Sequence, residues 1–187
     1  YIGSTKEVGE LKCLIFYQNK QLTFEYPTLL SEPLWPTKNG PEFGAPARLW
    51  RKDINIQLSS GKSISGWVGI LEKLNRDMSG FFLKYRNKGI SGVVPMQNSD
   101  PEDSRDAKDT VSKGAYKPRK IFRQSGCYTD QSFIGEFDAS EFGKTITTDE
   151  PKWSAEEKDE FETKLLDLLV ADDYLKMATN YRRKKAS

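Results

Sequence analysis

Histidine is absent from this chain, which restricts the chemistry that its side chains could perform. Ser–His and Cys–His nucleophile pairs and histidine acid–base catalysis are therefore excluded. With two cysteines, Cys13 and Cys127, and no histidine, one chain cannot form a tetrahedral zinc site either. Carboxylate, lysine and tyrosine chemistry is what remains for an enzyme.

Two acidic groupings have the residue types that hold a divalent cation. Glu136, Asp138 and Glu141 form one, and Glu150 with Lys152 has the Glu-x-Lys spacing seen in some nucleases. Neither grouping is preceded, at the expected distance, by a recognisable residue that would complete a metal-binding motif. A Walker loop, a dinucleotide-binding fingerprint and a Gly-x-Ser-x-Gly motif are also missing from the sequence. We therefore predict a protein that is not an enzyme, with no catalytic residues, no metal site and no cofactor.

Aromatic and basic side chains recur together between residues 48 and 123. Single-stranded nucleic acid is bound where Lys and Arg contact the phosphates while bases stack on exposed aromatic rings. We therefore predict non-catalytic, sequence-tolerant binding of single-stranded DNA or RNA. The predicted stacking residues are Trp50, Trp67, Phe82 and Tyr116, and the predicted phosphate contacts are Arg51, Lys52, Lys84, Arg86, Lys117, Arg119 and Lys120.

The most informative part of this pattern is a predicted strand over residues 80–88. Side chains alternate between the two faces of a strand, so Phe82, Lys84 and Arg86 should share one face. Phe81, Leu83 and Tyr85 should occupy the other face. An aromatic ring beside two cations favours a nucleic-acid surface. The alternative is a plain solvated face whose ring is covered by a proline-rich loop.

The small net charge of +2 hides a strong asymmetry along the chain. Residues 48–123 carry 16 Lys and Arg against 8 Asp and Glu, whereas residues 124–181 carry 5 against 14. A basic tip at residues 182–185 follows. Opposite charge blocks favour a polyanionic partner or charge-directed association. The second hypothesis is therefore a structural or assembly protein that makes charge-complementary contacts with copies of itself or with a protein partner.

Short strands and turns should position these residues. Residues 11–26 alternate apolar and polar side chains around a polar turn and predict a hairpin. Residues 27–46 contain five prolines and two glycines, which predicts a loop without regular structure. Ile54, Ile56 and Leu58 alternate with polar residues and predict a strand that a turn joins to a second strand over residues 63–71.

Glycines and a polar segment mark further features of the chain. Gly66 and Gly69 flank Trp67, and glycine within a strand often marks a bulge or a place where another backbone comes close. Residues 89–95 are a candidate fourth strand, and residues 144–148 a candidate final strand. Residues 98–113 have Val111 as their one large apolar side chain and predict a polar connector, either between two subdomains or as a long hairpin loop between strands of the sheet.

The C-terminal section predicts one or two helices. Ser154 and Glu157 have the spacing of a capping box. Phe161, Leu165, Leu168 and Leu169 then form an apolar stripe at helical spacing. Asp172 is the predicted cap of a second short helix. We expect the apolar stripe to pack on the sheet, and binding of a partner helix is the alternative.

The run from Ile54 to Arg86 carries a family resemblance. It contains Gly61-Lys62, then Ser65-Gly66-Trp67, then Phe81-Phe82-Leu83-Lys84. In this it resembles small phage-encoded single-stranded DNA-binding proteins with an OB-like fold. The resemblance covers under a fifth of the chain and implies an OB-like barrel and a viral DNA-binding or RNA-binding role. It assigns a role to no individual residue.

Together these patterns predict a β-rich α+β fold: a twisted antiparallel sheet or a partly open OB-like barrel with one or two C-terminal helices. The predicted division is a β-rich domain at residues 1–150 and a helical segment at residues 151–187. Apolar runs are too short to span a membrane. We expect a soluble intracellular protein, cytoplasmic or nucleoid-associated, with reduced thiols. Import into an organelle with removal of a leader is the alternative.

Overall fold

A five-stranded sheet is the centre of the protein. The computed structural model describes residues 15–17, 20–22, 27–76, 78–86, 88–91, 115–123, 127–143 and 151–181. The strands are β1 (Ile15–Tyr17), β2 (Lys20–Leu22), β3 (Ser31–Glu32), β4 (Arg48–Leu49), β5 (Arg51–Gln57), β6 (Ser63–Ile70), β7 (Gly80–Tyr85), β8 (Lys88–Ser91) and β9 (Phe133–Asp138). The helices are α1 (Arg119–Phe122), α2 (Ala155–Ala171) and α3 (Tyr174–Asn180). The predicted α+β class is confirmed.

The order of the strands in this sheet is β5-β6-β9-β7-β8. Strands β5 and β8 form its edges, so the described strands do not close into a barrel. The sheet is also not purely antiparallel, because β7 and β9 run parallel, with Phe82 opposite Glu136. A parallel pair needs a long crossover connection. The chain supplies that connection between residues 85 and 133.

Two smaller pairs of strands accompany the main sheet. β1 and β2 pair antiparallel with Tyr17 opposite Lys20, which confirms the centre of the predicted N-terminal hairpin. β3 and β4 pair antiparallel, with Glu32 opposite Arg48. The predicted connector at residues 98–113, the candidate strand at residues 144–148 and the basic tip at residues 182–185 lie outside the described residues.

One face of the main sheet, here called the inner face, packs against the helices. Ile54 and Ile56 of β5 lie on it, each 3 % exposed, as the alternating pattern predicts. Aromatic contacts then join sheet and helices: the ring of Phe137 lies 5.3 Å from that of Phe161 on α2, and the ring of Phe81 lies 5.0 Å from that of Phe122 on α1. The core is therefore shared between the sheet and the C-terminal helices.

Helix α2 begins as its sequence predicts. The backbone N–H of Glu157 donates to Ser154 Oγ at 3.1 Å, and the N–H of Ser154 donates to Glu157 Oε2 at 2.9 Å. This reciprocal pair is a capping box. Asp172 is not the cap of α3 as predicted. It ends α2, and Asp173 precedes α3 in a left-handed conformation with φ of 63°.

The proline-rich loop at residues 27–46 packs on α3, and it is not without regular structure as predicted, because it contains β3. The ring of Trp35 meets that of Tyr181 edge-on with centroids 5.2 Å apart. Asn180 Nδ2 donates to the carbonyls of Trp35 at 3.1 Å and of Pro36 at 2.9 Å. Phe43, near the far end of the loop, is fully exposed. Helix α3 and Tyr181, which follows it, therefore hold the loop around Trp35.

Candidate interaction surfaces

The second face of the sheet, here called the outer face, gathers four of the predicted nucleic-acid contacts. Strand register places Asp53, Trp67, Glu136 and Phe82 side by side across β5, β6, β9 and β7. Arg51 and Lys84 lie beside this row on the same face because side chains alternate along each strand. Trp67, Phe82 and Lys84 are half-buried, and Arg51 is exposed. Phe82 and Lys84 thus share a face opposite Phe81 and Leu83, as the sequence predicts.

The cations of the outer face are paired with carboxylates. Arg51 Nη1 lies 3.0 Å from Asp53 Oδ1, and the Arg51 guanidinium carbon lies 5.0 Å from the centroid of the Trp67 ring. Lys84 forms an ion pair with Glu136. Asp138 lies on the same face and is exposed. Among the described residues, two cations therefore face three carboxylates, which leaves no positive surplus on this part of the outer face to attract phosphates.

Trp50 lies in the interior of the protein and not on the outer face. Its ring is 0 % exposed and lies 5.2 Å from the ring of Tyr174 on α3. Its Nε1–H donates to the carbonyl of Glu32 at 2.9 Å, which satisfies the buried donor. The Arg48 guanidinium carbon lies 3.7 Å from the centroid of the same ring. The structure therefore removes Trp50 from the set of stacking candidates, because its ring joins strand β4, β5 and helix α3 in the interior.

Tyr116 is held against helix α2. Its backbone pairs with Phe81 through two hydrogen bonds of 2.8 and 2.9 Å. Its hydroxyl donates to Glu162, and its ring lies 5.7 Å from that of Trp153. Lys158 Nζ lies 5.5 Å from the centre of the Tyr116 ring. The ring is thus engaged on the helix side of the sheet, away from Trp67 and Phe82.

Lys52 and Arg86 also lie apart from the outer face. Lys52 alternates with Arg51 and points to the helix side, where it forms an ion pair with Asp172 at the end of α2. Arg86 follows β7 in a turn with φ of 49°. Its N–H donates to Ser140 Oγ at 2.8 Å, so the turn ends the alternating pattern that would have placed Arg86 beside Lys84.

The last three predicted cations lie near α1, beyond the start of β7. Lys117 Nζ donates to Ser79 Oγ at 2.7 Å and to the carbonyl of Asp130 at 3.1 Å. Lys120 pairs with Asp159 of α2 at 2.6 Å. Arg119 is exposed. The eleven predicted contacts therefore do not form one site, because they are divided among the interior, the outer face and this end of the sheet.

The acidic C-terminal section neutralises part of the basic body within the same chain. Lys62, in the turn between β5 and β6, lies 2.8 Å from Glu157 of α2. Ser59 of that turn donates its N–H and hydroxyl to Glu160 at 3.0 and 2.8 Å. The pairs Lys52–Asp172 and Lys120–Asp159 add to these. Cations of the basic block therefore pair with carboxylates of the acidic block within the same chain. The sequence alone does not specify these pairs.

The acid stability of the protein should depend on Glu157. A hydrogen bond from Lys62, followed by those from the Ser154 backbone and the Ser60 hydroxyl, lowers the pKa of Glu157 from 4.5 to about 2. The ionised carboxylate therefore stabilises the fold above pH 4.5, and this contribution is lost as the pH falls from 4.5 to about 2. Glu157→Gln, which keeps a capping side chain, is expected to be less stable than wild type at neutral pH.

The two proteins should converge in stability as the pH falls through that window. Urea unfolding at a series of pH values measures the difference directly, and acidic groups shared by both proteins cancel. Ser65→Ala, a change on an exposed side chain of the outer face, serves as the control and should show no such convergence. A constant difference between wild type and Glu157→Gln from neutral pH to below pH 3 would contradict the prediction.

The carboxylates that the sequence offers for a metal are occupied by protein donors. Glu136 pairs with Lys84, and Glu141 accepts from the Ser63 N–H at 2.6 Å and its hydroxyl at 2.9 Å. Asp138 accepts from the Ser140 N–H at 2.8 Å. Within the part of the chain that the structure describes, no cluster of three acidic or cysteine side chains could hold a metal ion. Glu150 lies outside the described residues.

Comparisons with known proteins add no relative. No protein-family model, curated protein or solved structure matches the chain. The resemblance of residues 54–86 to small phage-encoded proteins therefore stays a prediction. Among the helices that the structure describes, none is both long enough and apolar enough to span a membrane.

Proposed function

We propose that this protein is a non-catalytic interaction module that binds a partner protein through the outer face of its sheet. The observation that carries the proposal is the row of Trp67 and Phe82, two half-buried aromatic rings on the face opposite the helices. Large aromatic side chains that remain partly exposed on a rigid sheet are the kind of residue that dominates binding energy in protein interfaces. The sheet holds both rings without a loop that must first be ordered.

The charges of the outer face support a protein partner over a polyanion. Arg51 and Lys84 are each already paired, with Asp53 and Glu136, and the further charge on this face within the described residues is the exposed carboxylate of Asp138. A nucleic-acid groove needs cations that gain by meeting phosphates. A protein interface instead tolerates paired charges around an aromatic centre, since its core is depleted of charge and its rim is polar.

Charge-directed self-assembly draws less support from the geometry. Its premise is that a basic block and an acidic block of different chains attract each other. Lys62, Lys120 and Lys52 instead meet carboxylates of α2 and its end within one chain. An association through the outer face should therefore depend on Phe82 and only weakly on salt.

A displayed library of random peptides tests the outer face even while the natural partner is unidentified. Peptides selected on the wild-type protein should lose about tenfold or more in affinity for Phe82→Ser, which corresponds to about 1.4 kcal/mol. Val170→Ser is the matched control because Val170 is 57 % exposed on the helix side. Binding to this control should be unchanged. Peptides that bind Phe82→Ser as tightly as wild type would overturn the proposal.

A second copy of the chain is one partner that the same variants can reveal. Sedimentation of the wild type and of Phe82→Ser over a range of concentrations measures self-association. An oligomer that Phe82→Ser dissociates, while Val170→Ser does not, identifies the partner as the chain itself. An oligomer that both variants retain would place the contact on another surface and would count against the outer face.

A further inference from the structure

A basic surface lies at the end of the sheet near the start of β7. The ammonium group of Lys117 contacts two other segments of the chain at this surface. Lys117 Nζ lies 3.4 Å from the carbonyl of Arg76 and 3.1 Å from that of Asp130. Three segments that are far apart in sequence therefore meet at Lys117. We call this surface the basic end and define it by the exposed residues Lys73, Arg119, Arg123 and Tyr128.

The basic end has the positive surplus that the outer face lacks. Its exposed cations Lys73, Arg119 and Arg123 are accompanied by one exposed carboxylate in the described parts of these segments, that of Glu72. Asp130 is 6 % exposed and lies against Lys117, so it does not offset them at the surface. Clustered arginines and lysines raise the local concentration of phosphate-bearing ligands and gain free energy by releasing counterions from them.

An exposed aromatic ring accompanies these cations. Tyr128 is 42 % exposed, which makes it one of the four exposed large hydrophobic side chains among the described residues. The hydroxyl of its neighbour Thr129 donates to the carbonyl of Phe122 at 3.2 Å, so Tyr128 is fixed beside the end of α1. Arg123 immediately follows that end, and its N–H donates to the carbonyl of Arg119 at 3.0 Å.

We infer that the basic end binds single-stranded nucleic acid, with Arg119 and Arg123 contacting phosphates and Tyr128 stacking on a base. An exposed ring beside arginines is the combination that single-strand binding uses, because every base offers a face for stacking. Duplex DNA keeps its bases stacked on each other and would leave Tyr128 without a ligand. This site is separate from the outer face and does not depend on the function proposed above.

Fluorescence anisotropy with a labelled oligothymidine at low salt provides the test. The double variant Arg119→Gln, Arg123→Gln should weaken binding about tenfold, and the slope of log K against log salt should become shallower by about 1.4, or about 0.7 for each lost phosphate contact. The control Lys38→Gln, Lys152→Gln removes the same charge from exposed lysines elsewhere, on the proline-rich loop and before α2. It should retain most of the affinity.

The role of Tyr128 is tested by a separate pair of variants. Tyr128→Ser should weaken binding about tenfold, since it removes the stacking ring, whereas Tyr128→Phe should keep the affinity. Circular dichroism and thermal unfolding of each variant verify that it is folded. Equal loss in Tyr128→Ser and Tyr128→Phe would overturn the stacking role.

Competition experiments show whether the basic end prefers nucleic acid to other polyanions, and Phe82→Ser shows whether the outer face takes part in binding. Unlabelled single strands should displace the probe more effectively than duplex DNA or inorganic polyphosphate of the same charge. Equal displacement by polyphosphate would overturn recognition of bases, and absence of binding by the wild type at low salt would overturn the inference altogether. Phe82→Ser should bind the probe like wild type. Loss of binding in Phe82→Ser, with full binding in the arginine variant, would assign the nucleic acid to the outer face instead.

Discussion

Replacing Gly66 by Ala is expected to lower the free energy of unfolding by about 3 kcal/mol, the upper end of the usual cost of overpacking. A Cβ atom at Gly66 would lie 1.9 Å from the carbonyl oxygen of Glu136 and 2.9 Å from the Cα of Phe137. Both are backbone atoms of β9, which pairs with β6 in the middle of the sheet. Relief of the contact therefore requires the two strands to move apart.

Gly69→Ala in the same strand is the matched control. The nearest atom to a Cβ there is the end of the Leu29 side chain at 2.9 Å, which can move more easily than a backbone. Urea unfolding of both variants at neutral pH measures the two costs. We expect the cost of Gly66→Ala to be the larger by at least about 1 kcal/mol. Equal costs would show that β6 and β9 are not held as closely at Gly66 as the structure has them.

Local sequence signals predicted the parts of the fold that are local in sequence. The alternation of Ile54, Ile56 and Leu58 specified β5, and a turn at Gly61 with φ of 83° leads into β6. The capping box at Ser154 specified the start of α2. In each case the partners lie within a few residues of each other, so propensity, capping and hydrophobic pattern agree without reference to the rest of the chain.

Strand β9 shows why the remainder of the sheet could not be predicted. It lies between β6 and β7, yet about 50 residues separate it from β7, its parallel partner, and single-sequence patterns carry no information on such pairings. Phe133, Ile134 and Phe137 are all buried, so its two faces do not alternate between apolar and polar as those of β5 do. Without β9 in place, an antiparallel sheet was the natural interpretation.

The candidate surfaces also combine features that are local in sequence, which could be predicted, with contacts between distant residues, which could not. The period of two placed Phe82 and Lys84 on one face correctly, because that inference needs only β7. Whether a cation is available depends on partners far along the chain: Glu136 for Lys84, 52 residues away, and Asp172 for Lys52, 120 residues away. The burial of Trp50 against Tyr174 is equally distant in sequence. Composition could therefore identify basic and aromatic residues but could not say which of them would be paired or buried within the fold.

Truncating Phe161 to Ala is expected to cost about 3–5 kcal/mol and to unfold the sheet together with α2 in one transition. Phe161 is 0 % exposed, and its ring packs against Phe137 of β9 at 5.3 Å and Trp153 at 5.9 Å. Val170→Ala on the exposed side of α2 is the control and should change stability by less than about 1 kcal/mol. Thermal unfolding followed by near-ultraviolet and far-ultraviolet circular dichroism shows whether α2 and the sheet unfold together or separately. Coincident, lowered transitions are expected because α2 covers the inner face. A loss of helix signal with the sheet still folded would mean that residues 151–187 are a separate unit.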